Sequence, residues 1–181
     1  DTLFGESGND ILIAGSGDSA RAGAVNELQG GFGADVLIGG DTSTNNMFGD
    51  FENDLYIGGA GNDLMLDVSG RSLFYARDGA DSLQGTDDND LYIGGGDNDT
   101  VFGDSNGNGL SGADIVLFNR ADGKDTMVGQ ASALSVGGMT SYSQLKLDRS
   151  GTALIVKVGH NSITFSDWYY DGVTRSSALY L

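Results

Sequence analysis

The chain has no cysteine and no proline in 181 residues, a single histidine and a single tryptophan. Its nine lysines and arginines face 26 aspartates and glutamates. Without cysteine there is no disulfide framework and no thiolate metal site. Zinc is disfavoured with it, because zinc wants nitrogen and sulfur ligands. The one histidine, His160, sits in a Gly-His-Asn turn, which is the setting of a surface residue rather than of a catalytic base. No stretch resembles a signal peptide, and no apolar run is long enough to cross a membrane. The scarcity of basic residues leaves a formal charge of −17. That argues against nucleic acid or an anionic membrane as a partner held by long-range attraction. The imbalance is localised. Residues 1–128 carry 23 acids and 5 bases, a net of −18, whereas residues 129–181 carry 3 acids and 4 bases, a net of +1. The composition therefore breaks near Val128, dividing a one-domain length into an acidic part, 1–128, and a nearly neutral part, 129–181.

What the chain has in abundance is glycine and aspartate at a fixed spacing. Gly49 to Phe102 divides into six nonapeptides: GDFENDLYI, GGAGNDLML, DVSGRSLFY, ARDGADSLQ, GTDDNDLYI and GGGDNDTVF. Position six is Asp54, Asp63, Ser72, Asp81, Asp90 and Asp99. A period of nine, half glycine and aspartate and half apolar, is the mark of a stacked-turn solenoid. A helix is excluded, since each glycine would cost about 1 kcal/mol in its interior. A repeated turn and short strand fits, with glycine supplying the backbone angles of the turn and a central apolar residue making the strand.

The rest of the acidic part follows the same phase with interruptions. Asp1 to Phe4 reads as positions six to nine, so the chain is expected to be a piece of a larger protein. A loop is expected around Ser19–Val25, one extra residue near Gly39-Gly40, a six-residue insertion after Asp99 and two more residues before Asp125. Across thirteen units an apolar residue stands two after position six: Leu3, Leu12, Leu28, Leu37, Met47, Tyr56, Met65, Phe74, Leu83, Tyr92, Val101, Val116 and Met127. These side chains should fill the space between two sheets.

Stacked turns bring the acids into columns, and bare carboxylates at strand spacing repel. A hard divalent cation reverses this. Calcium takes about 6–8 oxygen ligands, backbone carbonyls among them. Here the unit resembles the G-G-x-G-x-D-x-U-x repeat of the RTX (repeats-in-toxin, haemolysin-type calcium-binding) family. The best matches are Gly58-Gly59-Ala60-Gly61-Asn62-Asp63-Leu64-Met65-Leu66 and Gly30-Gly31-Phe32-Gly33-Ala34-Asp35-Val36-Leu37-Ile38. The resemblance implies an all-β fold, a right-handed parallel β-roll, with calcium between turns stacked on the same side. By that family's geometry each ion takes backbone oxygens from positions two and four of one turn and one and three of the next, plus both sixth-position acids. The acids so implied are Asp10, Asp35, Asp54, Asp63, Asp81, Asp90, Asp99, Asp114 and Asp125. The turn residues implied are Gly30, Gly31, Phe32, Gly33, Gly49, Phe51, Gly59, Gly61, Ala76, Arg77, Asp78, Gly79, Thr86, Asp88, Gly94, Gly96, Gly109 and Ser111. Alternate units stack, so one column is expected to run Asp10, Asp35, Asp54, Ser72, Asp90, Asp114 and the other Asn26, Asn45, Asp63, Asp81, Asp99, Asp125. The best sites are expected between Asp10 and Asp35, Asp35 and Asp54, Asp63 and Asp81, Asp81 and Asp99, and Asp90 and Asp114, with gaps or weak sites at Ser72 and at Asn26–Asn45.

The tail is β-rich in Ser143–Leu147, Thr152–Val158, Ser162–Phe165 and Ala178–Leu181, with turn signals at Asp148-Arg149-Ser150-Gly151, Gly159-His160-Asn161 and Asp171-Gly172. Residues 144–169, ending Ile163-Thr164-Phe165-Ser166-Asp167-Trp168-Tyr169, resemble the block that follows the repeats in haemolysin-type proteins. The resemblance implies a cap on the end of the roll. Trp168, Tyr169 and Tyr170 read as packing residues of that cap rather than as a sugar platform.

No nucleophile–base pair stands apart from the repeating acids, so the chain is not read as an enzyme; any active part would lie upstream in the parent protein. The functional expectation is a calcium-binding domain of a secreted bacterial protein, extracellular or on the cell surface. It would fold on taking up roughly 5–8 ions, each with about 6–8 oxygens. The resemblance adds the type I secretion machinery as a partner. A rival reading is a calcium-stabilised adhesin or polysaccharide-binding module, in which a glycan or host surface is bound through the parent protein.

Overall fold

The computed structural model describes residues 1–15, 23–103, 113–119, 121–128, 133–138, 141–166 and 168. Its strands, in chain order, are β1 (Thr2–Ser7), β2 (Ile11–Ile13), β3 (Val25–Phe32), β4 (Val36–Ile38), β5 (Thr44–Phe51), β6 (Leu55–Ile57), β7 (Leu64–Asp67), β8 (Leu73–Asp78), β9 (Ser82–Gln84), β10 (Leu91–Gly96), β11 (Thr100–Phe102), β12 (Ile115–Phe118), β13 (Lys124–Val128), β14 (Ala133–Val136), β15 (Leu145–Ser150), β16 (Ala153–Val158) and β17 (Asn161–Phe165). A 3₁₀ turn, Tyr142–Gln144, precedes β15. Odd strands from β1 to β13 pair in parallel in one sheet and even strands from β2 to β14 in another. The chain thus crosses from one sheet to the other at every turn, as alternate stacking of nonapeptides requires.

The short strands explain the sequence period. In β4, β6, β9 and β11 the middle residue is buried and its neighbours are half-buried, so one side chain per unit points inward. In register these make two rows. One runs Leu12, Leu37, Tyr56, Phe74, Tyr92, Val116 and Leu134. The other runs Leu3, Leu28, Met47, Met65, Leu83, Val101, Met127 and Phe165. All thirteen expected core residues lie in these rows, and all but Leu3 are buried. Tyr56, Phe74 and Tyr92 stack face to face, with centroids 4.6 and 5.0 Å apart. Burying such a side chain contributes about 1.5–3 kcal/mol.

The parallel ladder runs past residue 128. β14 pairs with β12, and β17 pairs in parallel with β13, before β16 and β15 extend the first sheet as an antiparallel meander. Val116 and Met127 are therefore paired with Leu134 and Phe165. Trp168 meets Phe165 edge-on at 5.5 Å. One turn differs from expectation. Asp148, Arg149 and Ser150 belong to β15, opposite Ile155, Leu154 and Ala153. The reversal occurs at Gly151, whose φ of 60° supplies the left-handed angle, and Asp148 pairs with Lys157 across the hairpin. The loop expected at Ser19–Val25 lies mostly outside the described residues, and Val25 already belongs to β3. The insertion after Asp99 falls largely, and the run Ala178–Leu181 wholly, outside the described residues.

Candidate metal centre

The turns joining the two sheets stack along the two edges of the roll, and position six of each turn binds the next. The backbone N–H of Asp10 donates to Asp35 Oδ1 at 2.8 Å, and that of Asp35 to Asp54 Oδ1 at 2.8 Å. Asp54 N–H donates to Ser72 Oγ at 2.9 Å, Ser72 N–H to Asp90 Oδ1 at 2.7 Å, and Asp90 N–H to Asp114 Oδ1 at 3.0 Å. On the other edge the Nδ2 of Asn26 donates to Asn45 Oδ1 at 2.8 Å, and Asn45 N–H donates to Asp63 Oδ1 at 2.8 Å. The chain continues from Asp63 to Asp81 at 2.7 Å, from Asp81 to Asp99 at 3.0 Å and from Asp99 to Asp125 at 3.1 Å. These are the two columns that alternate stacking assigns. In Asp35, Asp54, Asp81 and Asp99 one carboxylate oxygen accepts a backbone N–H and the other is left over.

The second oxygen is the informative one. Asp10, Asp35, Asp54, Asp81 and Asp99 each bury an Oδ2 that has no hydrogen-bond partner among the described residues. A buried charged oxygen without a donor is costly. Burial, reinforced by like-charged neighbours, pushes Asp54 up to about 6, Asp99 to about 7 and Asp81 to about 8. Asp125 is likewise raised to about 8, first by burial. A cation set against these oxygens would remove the penalty.

Backbone geometry makes room for such an ion. A Cβ on Gly30 would fall 2.2 Å from Asp35 Oδ2, and one on Gly49 would fall 2.0 Å from Asp54 Oδ2, so glycine at position one lets the carboxylate close over the turn. Among the described residues no three His, Cys, Asp or Glu side chains converge on one point. Any ion between turns must therefore complete its shell with backbone oxygens, as a calcium site does. Carbonyls are at hand. The oxygens of Glu6 and Gly8 lie 2.4 and 2.1 Å from where Cβ atoms on Gly31 and Gly33 of the next turn would stand. The residues present fit a hard, oxygen-seeking cation.

Of the turn residues singled out by sequence, Gly30, Gly31, Phe32 and Gly33 lie in turn 30–35, and Gly49 and Phe51 in turn 49–54. Gly59 and Gly61 lie in 58–63, Ala76 to Gly79 in 76–81, Thr86 and Asp88 in 85–90, and Gly94 and Gly96 in 94–99. Gly109 and Ser111 fall outside the described residues. One residue escapes the sequence reading. Asp67, at position one, is 2% exposed and is hydrogen-bonded by Ser72 Oγ and by Val68 N–H; burial raises it to about 7. Aspartate where glycine belongs, five residues before serine where aspartate belongs, was the available signal. Asn45, where a gap or weak site is expected, donates through Nδ2 to Asp63 Oδ1, Gly40 O and Ser43 O at 2.8, 3.2 and 3.0 Å.

An all-β roll of parallel nonapeptide turns with a column of oxygen ligands on each edge defines a calcium-binding solenoid. The profile of the RTX calcium-binding nonapeptide repeat family matches four copies in this chain, at residues 1–19, 23–43, 44–65 and 75–110. That is more than half of its length, and the chain belongs to this family. Among curated proteins none matches. The crystal structure of the extracellular lipase LipA from Serratia marcescens is similar over 100% of this chain, with a TM-score of 0.50 and 11% identity. This chain spans 40% of the lipase chain, and at that identity the likeness speaks for the fold alone. The family match makes the domain a calcium-binding one of the RTX type.

Proposed function

We propose that this chain is a calcium-dependent folding module of a larger secreted bacterial protein. Its carrying observation is the set of five buried carboxylate oxygens that find no donor among the described residues. In a cytosol poor in calcium the repeat region's net charge of −18 and many glycines disfavour a packed state. Outside the cell, where extracellular modules bind calcium at about 10⁻⁴–10⁻³ M, ions neutralise the columns and hold the turns in register, so that binding and folding are one event. The ligands are the sixth-position aspartates whose Oδ2 is left over, Asp10, Asp35, Asp54, Asp81 and Asp99, with backbone oxygens of the turns between them. Export through a type I channel rests on the family resemblance, as does placing any catalytic activity in the rest of the parent protein. Residues 129–181 act as the cap, a reading supported by β14 continuing the ladder from β12 and β17 continuing it from β13.

Circular dichroism of the protein in excess chelator, then in millimolar calcium or magnesium, tests this. Calcium is expected to produce the β spectrum and magnesium to fail, since magnesium demands a small octahedron and sheds water reluctantly. An unchanged spectrum on chelation would sink the folding switch.

A glycan-binding module is the second reading. An open cleft lined by Asp41, Tyr75, Arg77, Asp78, Asn119 and Asp122, with Tyr75 41% exposed, gives it a place. A glycan array with and without calcium separates the two.

A further inference from the structure

The turns fall into two kinds, and the division does not follow the glycine consensus. In turns 5–10, 30–35, 49–54, 76–81 and 94–99 both position two and position four have positive φ: Glu6 and Gly8, Gly31 and Gly33, Asp50 and Glu52, Arg77 and Gly79, Gly95 and Asp97. These are the five turns whose aspartate Oδ2 has no partner among the described residues. Four of the five aspartates are at most 3% exposed. Call these turns open.

Four other described turns satisfy themselves. In 58–63 the N–H of Gly59 donates to Asp63 Oδ2 at 2.8 Å, and in 85–90 that of Thr86 donates to Asp90 Oδ2 at 2.9 Å. In 67–72 the Ser72 hydroxyl donates to Asp67. In 39–45 the Asn45 amide gathers two carbonyls of its own turn and the Asp63 carboxylate, as a cation would. None of these four turns has positive φ at both positions. Call them closed.

The two kinds are segregated. On the first edge 5–10, 30–35 and 49–54 are open, while 67–72 and 85–90 are closed. On the second edge 39–45 and 58–63 are closed, while 76–81 and 94–99 are open. Resting on the calcium reading above, we propose that calcium loads only between consecutive open turns, on one edge in the N-terminal half of the roll and on the opposite edge in the C-terminal half. The closed turns are metal-independent struts. The seats are then between 5–10 and 30–35, between 30–35 and 49–54, and between 76–81 and 94–99. Two pairs that the repeat consensus favours, Asp63–Asp81 and Asp90–Asp114, have a closed turn on at least one side and take no ion.

Calorimetric calcium titration of the full chain and of Asp35→Asn, Asp63→Asn and Asp90→Asn tests this, beside anomalous scattering from crystals grown in calcium. Asp35→Asn is expected to lose ions or to weaken binding roughly tenfold or more. Asp63→Asn and Asp90→Asn are expected to keep the wild-type ion count and affinity. The anomalous map is expected to show ions at the three seats. An ion between Asp63 and Asp81, or loss of an ion in Asp63→Asn or Asp90→Asn comparable to that in Asp35→Asn, overturns the proposal. The map needs no variant, so misfolding of a mutant leaves the proposal exposed to it. A wild-type chain that takes up no calcium would instead overturn the function reading beneath it.

Discussion

One methyl group probes a turn. At Gly49 a Cβ would lie 2.0 Å from Asp54 Oδ2 and 2.2 Å from Tyr56 Oη. That hydroxyl is not free to move: it accepts from Gly49 N–H at 2.8 Å and donates to Leu66 O at 2.9 Å. Gly49→Ala is therefore expected to cost about 1–3 kcal/mol as overpacking, read as a fall in the urea midpoint at fixed calcium; an unchanged midpoint would show that the turn gives way. Ala76 already occupies position one of its own turn, so the cost belongs to the neighbours at Gly49 and not to the position as such. Tyr56→Phe keeps the ring and removes only the hydroxyl. It leaves the Gly49 N–H and the Leu66 carbonyl short of a partner and is expected to cost about 1–3 kcal/mol in thermal unfolding. A variant as stable as the parent would mean that the two hydrogen bonds contribute nothing net.

An element here is a short strand whose inward side chain at position eight bridges its two neighbours. Phe74 of β8 stacks on Tyr56 of β6 and on Tyr92 of β10, so Phe74→Ala opens a cavity shared by three strands. Its expected cost is about 3–5 kcal/mol, measured by denaturant unfolding with calcium present, and a loss under about 1 kcal/mol would mean that the stack collapses around the gap. This row was legible in the sequence because a period of nine fixes which residue faces inward, whatever the turn before it contains. The columns were legible for the same reason. The state of each turn was not. Gly58-Gly59-Ala60-Gly61-Asn62-Asp63 matches the repeat best and is closed. Gly49-Asp50-Phe51-Glu52-Asn53-Asp54, with no glycine at positions two or four, is open. Glycine content at positions two and four therefore does not record which state a turn adopts. In the tail Asp and Ser suggest a turn at Asp148-Arg149-Ser150, whereas the ladder to β16 keeps them in strand and the reversal comes at Gly151, which takes the left-handed angle.

Across the whole molecule the buried acids set the response to pH. Folded Asp54, Asp67, Asp99, Asp81 and Asp125 hold their protons up to about 6, 7, 7, 8 and 8, against an ordinary 3.8. Without calcium the folded chain therefore binds more protons than the unfolded one between about pH 4 and pH 8. The associated stability is fully present below the unfolded value and is lost as pH rises through the folded values. Chelated protein should show more β signal by circular dichroism at pH 5 than at pH 8, and calcium, which competes with the protons, should reverse that order. Equal signals at both pH values in chelator would show that these carboxylates do not titrate on folding. The tail is the other molecular-scale test. Stability in a stack is a sum of unit and neighbour terms, and removing residues 129–181 bares Val116, Met127 and the last sheet edges. The shortened chain is expected to need more calcium to fold, with a shallower titration, and Trp168→Ala to shift the titration in the same direction by less. Identical titrations for all three would make the tail a separate module.

Successive turns on one edge of the clean repeat block are 18 residues apart in sequence and touch mainly their immediate neighbours. Pulled from its two ends, such a stack should not shear as a block but peel turn by turn. At about 3.3–3.6 Å per extended residue, each release of 18 residues yields roughly 60 Å of slack. A mechanical trace in optical tweezers should thus be a staircase of equal steps released at two forces, calcium-sensitive where the clasp is an ion and calcium-insensitive where it is an amide or a hydroxyl.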